Sequence, residues 1–358
     1  MRLMIDASFA SPLIQLAGEN PFVFHCWGTT SFGKTVALMV AMSIWGDPAL
    51  GALTKTLNMT INAMMKQATF LCNLPFAGDE LQIIKNKWAA NFDTLIMSLT
   101  EGIDRGRMTY DKVNETRSWK CAFITTGEEP AVKSESGGGA KNRVIEMECR
   151  DKLIENGNLT ATFVRTHYGT AGPAFIDYVK DLDIHALYVD KYNQIMQEAN
   201  TTAKQAGAMA LILIADQLAS DLFWPDEQPL SVEEIKPYLA SDNSVSVAER
   251  AYSYICDTVA ENVNKFSSDA QQVWGLIEGD NVFINKTTLY RLLSEHGYDF
   301  EAVKREWGVK GYLKKNVNGK YRWFKNIKSV KVSCVKLLLT DDFEQQSMMD
   351  DDDDELPF

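Results

Sequence analysis

The sequence predicts an α/β protein. It has a mostly parallel sheet over residues 1–155, a helical region over 156–265 and a small winged helix-turn-helix unit over 266–340. Three observations support this division. Short apolar runs alternate with stretches of helical periodicity up to about residue 155, the pattern of strands joined by crossover helices. Apolar spacing near 3.6 dominates residues 171–265. Two short helical segments and a pair of lysine-rich alternating runs then precede an acidic end.

Strands are expected at Phe22–Trp27, Phe70–Gly78 and Lys120–Thr126. Each ends in polar or glycine-rich sequence, where sites in open α/β sheets lie. Helical spacing marks Ala174–Lys180, His185–Gln205 and Gly207–Leu222, and Pro225 and Pro229 interrupt the run. Ser231 and Ser246 each stand three residues before a glutamate, the spacing of a capping box. Further on, Val273–Ile284 reads as a strand and Lys286–His296 and Phe300–Trp307 as helices parted by Gly297. The runs Tyr312–Val317 and Lys320–Leu339 flank Asn318-Gly319, the strongest short-range hairpin signal.

Composition narrows the class. Hydrophobic residues make up 46% and charged residues 23% of the 358 positions, ordinary for a soluble globular chain. No run of 18 or more apolar residues occurs, so no membrane span is expected. The six cysteines form no CxxC pair and the four histidines are scattered. This pattern predicts reduced thiols in a cytoplasmic protein and no structural zinc. The formal net charge of −12 is uneven: from Asp341 to the end there are nine acidic residues and no basic one, leaving −3 for the rest. Residues 310–336 hold nine Lys or Arg and no acid. A basic segment on a near-neutral body points to nucleic acid, and residues 341–358 are too acidic to pack and are expected to be disordered.

One motif carries most of the chemistry. Gly28, Thr29, Thr30, Ser31, Phe32, Gly33, Lys34 and Thr35 fit G-x-x-x-x-G-K-[ST] in full, with an apolar run before and a helical run after. Glycines let backbone N–H groups close around phosphates, and the helix N-terminus favours the anion. Lys34 is expected on the β- and γ-phosphates of ATP and the Thr35 hydroxyl on Mg²⁺. Asp79-Glu80 follows the second apolar run. Asp79 would hold the metal through water and Glu80 would polarise the attacking water. At the third strand's tip Thr126 is favoured as the γ-phosphate sensor, with Thr125 the alternative. The glycine-rich loop Ser136–Arg143 presents Arg143, which suits a finger acting on a neighbour's nucleotide and so implies a ring. Asp104–Lys112, with Arg107 and Lys112, is either a DNA-touching hairpin or a solvated connection.

Taken together these motifs resemble a known family. His25-Cys26-Trp27 through Lys34-Thr35, Ser43–Pro48, Leu74–Gln82, Thr126–Pro130, Val273-Trp274-Gly275 and Gly279-Asp280 resemble the family called domain of unknown function 927, over roughly residues 5–340. That family is similar to superfamily 3 and MCM-like helicases of phages and mobile elements, including staphylococcal cassette chromosomes. The resemblance implies a P-loop AAA+ ATPase core with a helical lid, a winged helix-turn-helix domain and a hexameric, ATP-driven DNA helicase. It also implies a second phosphate sensor at Lys204. Two departures stand out. Family members usually carry more sequence before the loop, so a truncated motor or split gene is expected, and Gly78 replaces a usual apolar residue.

Two further segments address partners. Lys314, Lys315, Lys320 and Arg322 lie among Tyr312, Tyr321, Trp323 and Phe324, a mixture suited to phosphate contact and base stacking. Asp350–Phe358 is similar to the tip of bacterial single-stranded-DNA-binding protein, with Leu356, Pro357 and Phe358 as the apolar anchor. The tail would either recruit proteins that bind that tip or inhibit the basic wing. For the whole chain, a DNA-binding ATP switch (an initiator or loader) and a recruiting adaptor remain the alternatives to a helicase. A small-molecule kinase has no use for a basic wing.

Overall fold

The computed structural model describes residues 1–88, 92–104, 116–133 and 136–339, with the backbone alone of the short strands at 108–109 and 112–113. The chain divides into two compact units, Met1–Val245 and Ser246–Phe358.

In the first unit α1 (Arg2–Ala10) and α2 (Leu13–Ala17) lead into β1 (Val23–Gly28), and α3 (Lys34–Ser43) follows. Next come β2 (Thr54–Thr56), α4 (Ile61–Leu71), β3 (Phe76–Asp79), α5 (Leu81–Lys87) and α6 (Phe92–Glu101). A small antiparallel pair, β4 (Met108–Thr109) and β5 (Lys112–Val113), precedes β6 (Phe123–Gly127), α7 (Gly138–Lys141) and β7 (Val144–Cys149). The helices α8 (Gly157–Thr166), α9 (Ala171–Val179), α10 (Ile184–Glu198), α11 (Ala203–Phe223), α12 (Val232–Ile235) and α13 (Asp242–Val245) complete the unit.

The main sheet has the order β2-β3-β6-β1-β7, and its pairings are parallel. A parallel sheet is covered on both faces, so its strands read as continuous apolar runs. Alternation still decides which residue goes where. Val23, Phe76 and Phe123 pack with Met64, Leu95 and Trp119 on one side. Phe24, Cys26 and Ile124 pack with Phe9, Leu38 and Met42 on the other.

Helix α11 runs 21 residues and is buried on nearly every side. It is long and apolar enough to cross a bilayer, but 78% of its apolar window lies inside the unit, as in a core helix. Thr202 caps it, accepting from the Gln205 N–H. That cap explains why the single helix expected over His185–Gln205 is broken at Ala199.

In the second unit α14 (Val247–Glu261) is followed by β8 (Gly275–Glu278), β9 (Asn281–Asn285), α15 (Lys286–Glu295), α16 (Phe300–Val309), β10 (Trp323–Ile327) and β11 (Val330–Leu338). The four strands form an antiparallel sheet of order β10-β11-β9-β8. Trp307, fully buried, donates its indole N–H to Ala248 O at 2.7 Å. Tyr252 stacks on Tyr312 with ring centroids 3.8 Å apart and donates to Leu338 O.

Several expectations are corrected. Phe70 and Leu71 end α4 rather than start a strand. Pro75, which cannot donate to a ladder, stands just before β3 begins at Phe76. Val273–Ile284 contains the two strands β8 and β9, turning at Gly279 with φ +53°. Asn318-Gly319 does form a turn, closed by Gly319 N–H to Asn316 O at 2.9 Å. The ladder itself turns at Lys328-Ser329, where φ is +49° and +64°, as a two-residue primed turn requires. The boundary lies at Val245/Ser246, not 265/266, because α14 packs into the second core. Ser231 makes the full capping box, while Ser246 makes only the first half. Glu249 turns instead to the Lys310 ammonium and the Tyr312 hydroxyl.

One buried acid has a stability consequence. Asp6 on α1 is 2% exposed, and burial together with the neighbouring Asp216 carboxylate holds its carboxyl well above the usual range. The folded chain therefore binds this proton more tightly than the unfolded chain. The associated stability is complete below the unfolded value and falls as pH rises through the folded value. Asp6→Asn is expected to raise Tm by about 2–4 °C at pH 8, the shift produced by ~1 kcal/mol in a unit of this size, and to leave it unchanged at pH 4. Thermal melts of both chains at the two pH values check this.

Candidate functional site

The tips of three adjacent strands converge at the C-terminal edge of the main sheet, where open α/β folds bind ligands. Beyond β1 the backbone takes positive φ at Gly28 (+144°), Ser31 (+74°) and Gly33 (+84°). A Cβ on Gly28 would stand 2.7 Å from Cys149 O, so only glycine fits between β1 and β7 there. The bend turns Thr29–Gly33 over the start of α3. Ser31 holds a left-handed conformation that a non-glycine residue adopts only when its surroundings enforce it.

Lys34 follows this loop and is 9% exposed. Its ammonium donates to Gly28 O at 2.7 Å and Thr29 O at 2.8 Å. Thr35 Oγ1 donates to Asp79 Oδ1 at 3.2 Å and Oδ2 at 3.1 Å. Thr126 Oγ1, from the tip of β6, donates to Asp79 Oδ1 as well. Glu80 has φ +61°, and its N–H points at Thr126 Oγ1 at 3.4 Å. Lys34, Thr35, Asp79, Glu80 and Thr126 are thus brought together. Thr125 is not among them, since it faces His25 Nδ1 at 2.9 Å.

The donor set suits a phosphate chain with a hard cation. Backbone N–H groups of a bent glycine loop and a lysine suit phosphate oxygens, and a threonine hydroxyl beside a carboxylate suits magnesium. Among the described residues no group of three His, Cys, Asp or Glu side chains converges on a metal position.

Three residues outside the expected set belong to the site's support. His25 is fully buried and held between Thr125 and Glu129 O, the latter at 3.0 Å. Burial is the largest cause lowering its pKa to about 4, so it is a neutral strut. Glu128 accepts from Thr30 at 2.8 Å, tying the loop to the end of β6. Gln82 Oε1 is buried without a partner and faces Gly127. Each lies inside a stretch that carries the family resemblance, His25-Cys26-Trp27, Leu74–Gln82 or Thr126–Pro130, but nothing in those stretches gives it a role.

Arg143 is not in this cluster. It precedes β7, and its backbone O accepts from Val23 N–H at 3.1 Å, at the opposite edge of the sheet. The length of β1, about 3.3 Å per residue, separates that edge from Gly28. Arg143 Nη1 donates to Gly139 O at 2.6 Å. It lines a pocket of about 500 Å³ with Glu101, Asn142, Tyr188 and Lys204. Desolvation and then the Arg143 charge lower the Lys204 pKa, with Glu101 opposing. Lys204 therefore stands on the Arg143 side rather than beside its own Lys34.

Gln205, fully buried, donates from Nε2 to Lys141 O and Val144 O, both at 2.8 Å. Those carbonyls flank Arg143, so one side chain fixes the backbone that presents it.

The remaining candidates distribute as follows. Arg107 lies outside the described residues, as do Leu356, Pro357 and Phe358 and the acidic tail. Lys112 is described only as a backbone position in β5. Lys314, Lys315, Lys320 and Arg322 all fall between α16 and β10, with Lys315, Lys320 and Arg322 exposed. Lys314 O accepts from the Trp323 indole at 2.9 Å, and Arg322 Nε donates to Ser333 Oγ at 3.0 Å.

The geometry defines a class first: a parallel α/β unit with a glycine-bent loop at the strand tips, and a helix-turn-helix unit. Comparisons with known proteins give the particulars. Residues 1–118 match the family model Domain of unknown function (DUF927), and residues 246–342 match the Cch helix turn helix domain. A solved structure of SCCmec type IV Cch, described as an active helicase, aligns with a TM-score of 0.71 at 20% identity. That alignment covers 97% of this chain and 68% of the other. The apo C-terminal region of NrS-1 aligns at only 0.34 and 11% identity, over 94% of this chain and 70% of the other. No curated protein matches the chain. The fold is therefore that of a helicase structure.

Gly78 explains its own presence. A Cβ there would stand 2.6 Å from Leu57 Cδ2, so an apolar side chain next to Asp79 has no room. Gly78→Val is expected to lower stability by about 1–3 kcal/mol through overpacking. Adding Leu57→Ala should recover at least half of that loss, as denaturant melts of the two variants would show.

Proposed function

We propose that this chain is the motor of a cytoplasmic, ATP-dependent DNA helicase or translocase that assembles as a ring, a hexamer, and serves the replication of a phage or mobile element. The observation that carries the reading is the pairing of two edges. Lys34, Thr35, Asp79, Glu80 and Thr126 meet at one edge of the sheet, while Arg143 and Lys204 share a pocket at the other. A single subunit cannot bring both to one nucleotide, but two subunits stacked edge to edge can.

In this reading Gly28–Thr35 is a P-loop. The amides of Thr29–Gly33 bind the phosphates, and Lys34 exchanges its contacts with Gly28 O and Thr29 O for the β- and γ-phosphate oxygens. Thr35 and Asp79 would hold magnesium, which would supply charge neutralisation at the phosphates. Glu80 orients and polarises the attacking water, and Thr126 fixes the Asp79 carboxylate while sensing the γ-phosphate. Arg143 reaches the neighbour's nucleotide, with Lys204 beside it. Lys314, Lys315, Lys320 and Arg322, together with Arg107 and Lys112, contact DNA.

The test is ATP hydrolysis and strand displacement on forked DNA. Hydrolysis stimulated by DNA, with displacement, is expected; Lys34→Ala should abolish both. Arg143→Ala should lower kcat by about 10³ or more while each subunit still binds ATP. Hydrolysis without displacement would favour the initiator or loader, and a chain without hydrolysis would be an adaptor. If Arg143→Ala hydrolyses normally in the assembled state, the two-subunit site is wrong.

Gln205 gives a second measurement. Gln205→Leu removes both anchors beside Arg143 without touching Lys34. The expected result is a kcat reduced about tenfold or more, a KM for ATP within about twofold and an assembled state that persists. A loss seen in KM instead would show that Gln205 does not act through Arg143.

A further inference from the structure

The second unit has a concave site that the motor reading does not use. A pocket of about 300 Å³ opens between α15, α16 and the segment before β10. Its floor is apolar: Phe300 and Val335 are each 4% exposed, and the rings of Tyr290 and Tyr321 form the walls. Lys286, Lys304, Lys320 and Arg322 ring the mouth. The pocket's one carboxylate, Glu301, is engaged by Lys304 at 3.0 Å and by the Tyr290 hydroxyl at 2.6 Å.

Such a site fits an acidic segment that ends in a bulky apolar side chain. The cations would meet carboxylates at the rim while the floor takes a ring or aliphatic group. Stacked nucleic-acid bases fit it less well. The Tyr290, Phe300 and Tyr321 faces already carry lysine ammonium groups at 5.1, 5.9 and 5.3 Å.

The same chain contains such a segment. After Leu339 come 19 residues, and their last nine are Asp350–Glu355 followed by Leu356-Pro357-Phe358. Extended, 19 residues span roughly 60 Å. The pocket's Val335 is four residues before Leu339, about 14 Å along β11. The segment can therefore double back to the pocket with length to spare. Pro357 stiffens the backbone next to Phe358 and lowers the entropy lost on docking.

We infer that the α15–α16 pocket is the receptor for the chain's own acidic end, with Phe358 seated on Phe300 and Val335 and the Asp350–Glu355 run against Lys286, Lys304, Lys320 and Arg322. Docked there, the tail covers Lys320 and Arg322 and competes with DNA for them. Only the covering of those two residues rests on the DNA-binding reading; the docking itself does not. A tether of this length would give an effective concentration on the order of 1 mM, so a free peptide that binds at roughly 100 µM would hold the site about nine-tenths filled in cis.

The test uses a fluorescein-labelled peptide of residues 341–358 and needs neither ATP nor nucleic acid. Residues 1–339 contain the packed elements described above, so a chain ending at Met349 keeps them. That shortened chain should bind the peptide saturably by fluorescence anisotropy, and the full chain should bind it at least about fivefold more weakly. Phe358→Ala in the peptide should weaken binding about tenfold or more, and so should Lys304→Ala with Arg322→Ala in the protein, with circular dichroism unchanged. Equal binding by the full and shortened chains would overturn the proposal, as would binding indifferent to Phe358. If the pocket variants lose single-stranded DNA but keep the peptide, the pocket is a nucleic-acid site and the proposal fails.

Discussion

The candidate site depends on one constraint, the register of three parallel strands. β1 pairs with β6 so that Cys26 faces Thr126, and β6 pairs with β3 so that Thr125 faces Gly78. The tips bearing Gly28, Thr126 and Asp79 therefore end level with one another. Because β6 is inserted between them, β1 and β3 stand about 10 Å apart, two strand spacings. The first turn of α3 bridges that gap and lets the Thr35 hydroxyl reach Asp79. A slip of β3 by one residue would turn Asp79 to the other face of the sheet. Leu57 packed onto Gly78 opposes such a slip, because every other residue type at that depth is too large.

Much of this was legible in the sequence because the relevant chemistry is local. Eight consecutive residues specify the loop, and the loop's geometry needs its glycines where they stand. What was not legible depends on distant partners. Pro75 signals that β3 cannot start early, but the apolar content of Phe70 and Leu71 reads equally as strand or helix. Thr60, capping α4 through the Ala63 N–H, settles it for helix. Asn318-Gly319 has the stronger local turn signal, yet Lys328-Ser329 makes the ladder turn. There the pairing of β11 with β9 and Trp323 with Cys334 fixes which residues lie opposite. Local preference proposes a turn, but the sheet's long-range register decides whether a ladder runs through it.

Gln205 illustrates the same limit at the far edge. Nothing in Ala203-Lys204-Gln205 says that its amide holds the backbone on both sides of Arg143, because 61 to 64 positions separate the partners. Yet a buried amide that leaves a donor unpaired costs about 1–3 kcal/mol, so a glutamine at that depth has to find such acceptors. The start of α11 and the start of β7 are thereby locked together. Arg143 and Lys204 then share one pocket as a consequence of packing, and two like charges are kept close there, partly offset by Glu101.

Charge distribution makes the last connection between sequence and behaviour. The nine cations of residues 310–336 and the nine acids from Asp341 onward cancel in the sum, but they lie in separate stretches of the chain. At physiological ionic strength the screening length is about 8 Å, a small fraction of the roughly 60 Å that 19 residues can span. Acids and cations on such a tether barely sense each other until they are almost in contact. Charge alone would therefore give a loose, salt-sensitive association with no fixed geometry. A defined complex needs a short-range term as well, and burying one aromatic side chain supplies about 1.5–3 kcal/mol that salt does not screen. Where a basic rim surrounds an apolar floor, as at Phe300 and Val335, both terms act at the same place. A partner with charge but no apolar end satisfies only half of that surface.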